Sequence, residues 1–378
     1  MHRRIFINSG LSAMALGAGA TWLRHSPLGL SEAFGPHPPA FSIIPVVGDG
    51  KWIWTEPPTD KTGYLDARQF ELKVGIQLQG TGDATDLQST TAAPLELPEQ
   101  KIEALTIDKT GCAAEVRQLT PEAGQLALAA ESIVKDQVIT ATAKYRLTLR
   151  KQYFGHTRDK FPASQTVTKE MRRLYLNDSP GIQVKQKEVR DLAVKIAGQM
   201  EHPWDKAHAF YQWVWENIQP RLGSYTSVLA ALKDRMGDCE ERAAVFVAFC
   251  RSMDIPARLV WVPNHNWAEF YLHEEGSKGH WIPAHTAAYS WFGWTGVHEL
   301  VIQKGDNIRL PEKKSKPQRL VPDWVQWLGA KPKVRYLAEL TPLPPESSSD
   351  PGPGARSKSE SGEWLSRGPY AAKEFVRR

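Results

Sequence analysis

Cys239 stands in the run Arg235-Met236-Gly237-Asp238-Cys239-Glu240-Glu241, directly behind a glycine and an aspartate. From there Cys239, Ala243, Phe246 and Cys250 recur at the spacing of one helix face. Gly237 supplies a turn and Asp238 an N-cap, so the helix is expected to begin at the cysteine. A helix start offers unpaired N–H groups and a positive dipole end. Both favour a thiolate and are expected to lower the pKa of Cys239. That is the chemistry of a nucleophile. From this segment alone, Cys239 reads more readily as an ordinary small core residue, since free cysteines are usually just buried.

The segments that follow supply a partner. Asp254-Ile255-Pro256-Ala257-Arg258-Leu259-Val260 is a turn and then an apolar run. Asn264 to Leu272 alternates as a strand, with His265, Trp267 and Glu269 on one face. His280-Trp281-Ile282-Pro283-Ala284 reads as a second strand. A cysteine at a helix start plus a histidine on a following strand is the layout of a Cys/His acyl-transfer site.

These blocks, in this order and spacing, resemble the transglutaminase-like superfamily. The resemblance rests on Gly237-Asp238-Cys239-Glu240, Arg251, Asp254-Ile255-Pro256-Ala257-Arg258 and His265-x-Trp267-Ala268-Glu269-x-Tyr271. It extends over roughly residues 182–310. It implies a papain-like fold in which Cys239 attacks an amide and His265 is its base. The third position departs from the family pattern. Where the family has Trp-x-Pro-x-Asp, this chain has Trp281-Ile282-Pro283-Ala284-His285. A neutral His285 imidazole can accept a hydrogen bond and orient His265, but it brings no negative charge. Loss of that carboxylate in the serine-protease triad costs about four powers of ten. Three readings stay open: His285 orients His265, a carboxylate such as Glu269 or Asp306 takes the role, or the site is inert.

The chemistry implied is thioester formation on an amide, with His265 delivering a proton to the departing amine. The backbone N–H of Cys239 is placed to hold the oxyanion. Hydrolysis is favoured over cross-linking, because no acceptor-selecting feature is visible. The alternative is a non-catalytic binding or scaffold protein with a degenerate site. The expected partner is a peptide or protein substrate, with no cofactor and no metal, since the histidines are scattered and no Cys-x-x-Cys occurs.

The remaining chain must position these residues. Its 378 residues allow about two domains and a tail. A net charge of +5 without a concentrated basic stripe argues against a nucleic-acid partner. Only Cys112, Cys239 and Cys250 are present, so the chain is not a disulfide scaffold. Cys239 and Cys250 lie about 16 Å apart along one helix and cannot bridge; Cys112 and Cys250 are expected to be buried thiols.

The fold class expected is α+β: an N-terminal β-sandwich, then a papain-like, transglutaminase-like core of helices packed on an antiparallel sheet. Residues 35–165 read as the sandwich, with strong alternation over 70–78 and 139–149. Residues 166–310 form the catalytic unit. Helices are expected over 186–199, from Pro203 to about Ile218, and over 227–233. A C-terminal extension covers 311–340, with a charged linker at 311–317, then a short helix and a last strand. Residues 341–378 read as a disordered tail. Residues 1–34 carry Arg3-Arg4-x-Phe6-Ile7 ahead of an apolar stretch and Ala18-Gly19-Ala20, resembling a twin-arginine export signal with cleavage near Ala20. This implies a periplasmic or extracellular location, with membrane contact only through an uncleaved signal.

Overall fold

The computed structural model describes residues 61–344, apart from 156, 222, 264, 277–278 and 288–290, together with two short strands, β1 (Phe41–Ile43) and β2 (Trp52–Trp54). The signal-like segment and the tail beyond Pro344 lie outside the described residues.

Six long strands follow: β3 (Gly63–Gln79), β4 (Ala84–Ala93), β5 (Gln100–Thr110), β6 (Ala113–Thr120), β7 (Ala123–Ile133) and β8 (Val138–Tyr153). The alternation read from sequence is the burial pattern found. Phe70, Leu72, Val74, Ile76 and Leu78 of β3 all point into the sandwich core, as do Ile139, Ala141, Ala143, Tyr145, Leu147 and Leu149 of β8. The two strands pair antiparallel, with Leu72 opposite Tyr145 and Val74 opposite Ala143. One-sided burial fixes this register, because a slip of one residue would turn the apolar set outward.

Five helices come next: α1 (Lys169–Tyr175), α2 (Lys187–Ala197), α3 (Pro203–Asn217), α4 (Val228–Asp234) and α5 (Cys239–Ser252). Two-residue strands β9 (Gln219–Pro220) and β10 (Met236–Gly237) flank α4. Three antiparallel strands, β11 (Ala257–Val262), β12 (His265–His273) and β13 (Gly279–Ala284), follow α5 and receive it. Helix α5 is more deeply buried than a single apolar stripe implies. From Glu241 to Arg251 every residue is buried. It is therefore the central helix of the unit, with α2, α3 and α4 around it and β11 and β12 against it.

The short strands β14 (Trp294–Thr295), β15 (Gln303–Lys304), β16 (Ile308–Leu310) and β17 (Lys313–Gln318) lead to β18 (Trp324–Gly329) and β19 (Lys333–Pro342). Two expectations are corrected here. The 311–317 stretch is mostly the second strand of a β16–β17 hairpin, not a linker. The 321–340 segment contains two strands and no helix. β18 adds to β4, and β19 runs along β3 for ten residues, with Tyr336 opposite Ile76. The C-terminal extension thus completes both sheets of the sandwich.

One sheet joins the two halves in the order β13-β12-β11-β15-β7-β4-β18, with β15 the bridging strand. Around β15 lies a buried ionic knot. Lys304 Nζ meets Glu269 Oε1 at 2.7 Å and Glu99 Oε1 at 2.5 Å, all three side chains being at most 3% exposed. Arg258 holds Glu269 through Nε at 3.0 Å and Nη2 at 2.8 Å, and reaches Glu122 at 3.1 Å. Its guanidinium lies 3.7 Å from the Trp281 ring centroid. Burial alone would push Glu269 up, but Lys304 and Arg258 hold its carboxyl below the usual range.

The knot ties β12 to the sandwich, so removing one cation leaves buried charge unpaired. Lys304→Ala is expected to destabilise the protein by about 3–5 kcal/mol, measurable as a lower urea midpoint at unchanged slope. A loss below about 1 kcal/mol would mean that the knot is not a structural joint.

Candidate active site

The approach to Cys239 is fixed from both sides. Upstream, β10 pairs parallel with β9, so the Arg235 carbonyl accepts from Gln219 N–H at 2.8 Å and the Gly237 carbonyl accepts from Arg221 N–H at 2.9 Å. A Cβ at Gly237 would stand 2.4 Å from Glu241 Cβ, so only glycine fits. Asp238 caps the helix as its sequence suggests, accepting from the Glu240 and Glu241 N–H groups, while Glu241 accepts from the Asp238 N–H at 2.9 Å. Cys239 is therefore the first residue of a well-capped helix.

Strand β12 begins at the same place. Helix α5 packs along it, and the Asn266 backbone N–H lies near enough to the Cys239 thiol to favour its thiolate. His265 opens that strand opposite Val262. His285 follows β13 directly and is locked by its own N–H donating to the Trp291 carbonyl at 2.9 Å. The two imidazoles meet at 3.1 Å, Nε2 to Nε2, with ring centroids 4.7 Å apart. His285 also stacks on Trp267 at 5.4 Å and meets Trp291 edge-on at 5.0 Å.

Thus Cys239, His265 and His285 gather at one end of α5 and β12. The two carboxylates considered from sequence do not join them. Glu269 is held by Arg258 and Lys304, and Asp306 is held by Arg251 at 2.8 and 3.0 Å. The third position is an imidazole. Cys250 is buried as expected, whereas Cys112 is only half-buried, its thiol donating to the Thr140 carbonyl at 3.3 Å.

The electrostatics correct one expectation. Cys239 is 3% exposed, His265 5% and His285 1%. Burial pushes the Cys239 thiol well up, the nearby charge of Asp238 adds to this, and the Asn266 N–H and the helix start do not outweigh them. Burial also pushes His265 down to about 3 and His285 well below its usual value. The resting pair is a neutral thiol and a neutral imidazole. The dipole argument fails here because a helix start carries only about half a charge, less than desolvation and a flanking carboxylate withdraw.

Among curated proteins nothing matches this chain. Residues 190–286 match the family model of the transglutaminase-like superfamily, a span that includes Cys239, His265 and His285. This segment is a transglutaminase-like domain. Two solved structures align with parts of this chain. A candidate cysteine protease from Cytophaga hutchinsonii aligns over 74% of this chain and 99% of its own, at 16% identity and a TM-score of 0.47. A candidate protease from Parabacteroides distasonis aligns over 63% of this chain and 50% of its own, at 12% identity and a TM-score of 0.25. Within the matched span, His285 stands at the third candidate position.

Sequence reading passed over one residue of this site. Arg242, on α5 three residues after Cys239, is 2% exposed, and its guanidinium carbon lies 4.8 Å from the Trp215 ring centroid. The available signal was its spacing: positions three apart on a helix share a face.

Proposed function

We propose that this protein is a thiol-dependent amidase acting on peptide or protein substrates through a Cys239 thioester. The observation that supports it most is the meeting of Cys239, the start of β12 and the 3.1 Å His265–His285 contact within a transglutaminase-like domain. His265 takes the Cys239 proton as sulfur attacks the carbonyl carbon. The Cys239 N–H receives the oxyanion. His265 then gives its proton to the departing amine, leaving an acyl thioester. Water, activated by the same imidazole, releases the acid and restores the thiol. With His265 Nε2 donating to His285 Nε2, the other nitrogen, Nδ1, is the base and His285 carries its own proton on Nδ1.

Hydrolysis is favoured over cross-linking because water reaches any thioester and no acceptor groove is needed. Incubation of labelled casein with dansylcadaverine separates the two. New carboxyl ends or ammonia should exceed dansyl incorporation; predominant dansylation would reverse this part of the reading. A second reading is a binding protein with a degenerate site, favoured by His285 in place of a carboxylate and by the depressed His265. It predicts a folded protein that turns over no amide under any condition. We also propose export to the periplasm or beyond through the Arg3-Arg4 segment. Arg3→Lys with Arg4→Lys should retain the protein in the cytoplasm on fractionation.

A further inference from the structure

Three arginines are buried among the described residues: Arg242, Arg251 and Arg258. Arg251 has Asp306 as its carboxylate, and Arg258 has Glu269 and Glu122. Arg242 has none among the described residues. Its Nε and Nη2 also lack any hydrogen-bond partner there. Those two nitrogens form one edge of the guanidinium, the fork that receives a carboxylate side-on. Elsewhere in this chain the same edge is filled. Arg258 grips Glu269 through Nε and Nη2, and Arg158 grips Asp205 at 2.8 and 2.6 Å through the same atoms.

Arg242 is also positioned by the site. It lies on the Cys239 face of α5 with Trp215 against its plane, and its charge is felt at both Cys239 and His285. A buried guanidinium without a counter-ion is costly. Aromatic contact offsets only part of that. The vacant edge beside a nucleophile is a place for an anion that arrives with the substrate.

We infer that the Arg242 fork is a carboxylate-binding subsite next to Cys239, so that the preferred substrates are amides carrying a carboxylate close to the scissile bond. This rests on the amidase reading for the word substrate, but the subsite itself does not require turnover. The carboxylate can be a free chain terminus or an acidic side chain. Both present the same planar pair of oxygens to the fork, and Arg is suited to it where Lys is not.

The test compares alkylation of Cys239 by iodoacetate and by iodoacetamide, read on the Cys239 peptide by mass spectrometry. The two reagents differ in the carboxylate. The reference is their rate ratio at the same cysteine in urea-unfolded protein. The folded wild type should show a ratio raised about tenfold or more, with saturation in iodoacetate. Arg242→Gln should return it to the reference. Arg242→Lys, which keeps the charge and loses the fork, should fall between and guards against a folding defect in the Gln variant. A wild-type ratio equal to the reference, or a raised ratio unaltered by both substitutions, would overturn the subsite. Two substrate pairs then locate the carboxylate: a terminal acid against its methyl ester, and glutamate against glutamine beside the scissile amide. An Arg242-dependent preference in either pair supports the inference, and turnover without preference in both overturns it. If no amide is turned over while the alkylation ratio depends on Arg242, the amidase reading fails and the carboxylate site stands.

Discussion

Cys239→Ala is expected to lower kcat/KM on a peptide amide by about four powers of ten or more, with the fold intact by circular dichroism. The thiol supplies the covalent intermediate, and removing a nucleophile that works as a unit with its base removes the whole pathway. The fold should tolerate the change. Cys239 sits at the first position of α5, and the capping box that secures this end is made by Asp238 and Glu241. Turnover that survives in the alanine variant would place the chemistry on another residue.

His285→Asp is expected to raise kcat at neutral pH by about one to two powers of ten. The comparison with the serine triad sets the scale: loss of its aspartate costs about four powers of ten, through both tautomer control and charge. Here His285 already meets His265 Nε2 at 3.1 Å, so orientation is present and only the charge is missing. A carboxylate at that point would stabilise imidazolium and lift His265 from its depressed value near 3. The gain is limited because Arg242 acts on the same position and would share the new carboxylate. An equal or lower rate would mean that His285 does something an aspartate cannot, and a search for a neutral proton acceptor would follow.

Much of this site could be read from spacing. Gly237 and Asp238 specify a turn and cap by local chemistry, and Cys239 must then begin the helix. The alternation from His265 to Phe270 places a histidine at a strand start. These are short-range rules, and the structure obeys them. Four features were not legible, for three reasons. The β18 segment carries Trp324, Val325, Trp327 and Leu328, a helix-like spacing. Its register shifts between Gln326 and Leu328, and that irregularity breaks the alternation a strand would show. The pairing of β19 with β3 joins residues more than 250 positions apart, which no local pattern encodes. The direction of the Cys239 shift depends on how deeply α5 is buried, and burial is a sum over the whole fold. Arg242 was hidden for the same reason: a lone arginine in a helix reads as a solvated side chain until the packing around it is known.

The pH profile of Cys239 alkylation by iodoacetamide tests the central claim, that Cys239 and His265 act as a nucleophile and its base. His265 is pushed down to about 3 and the thiol is pushed up, so between those limits the pair holds one proton. The fraction present as thiolate and imidazolium is then constant across the window. Wild type should react at a rate that is flat from about pH 5 to about pH 8, because His265 takes the proton at every pH in that range. His265→Ala should react more slowly at pH 6 and gain about tenfold per pH unit, as a lone buried thiol does. A wild-type rate that climbs tenfold per unit alongside the variant would show that His265 does not serve Cys239, and the catalytic account would be wrong.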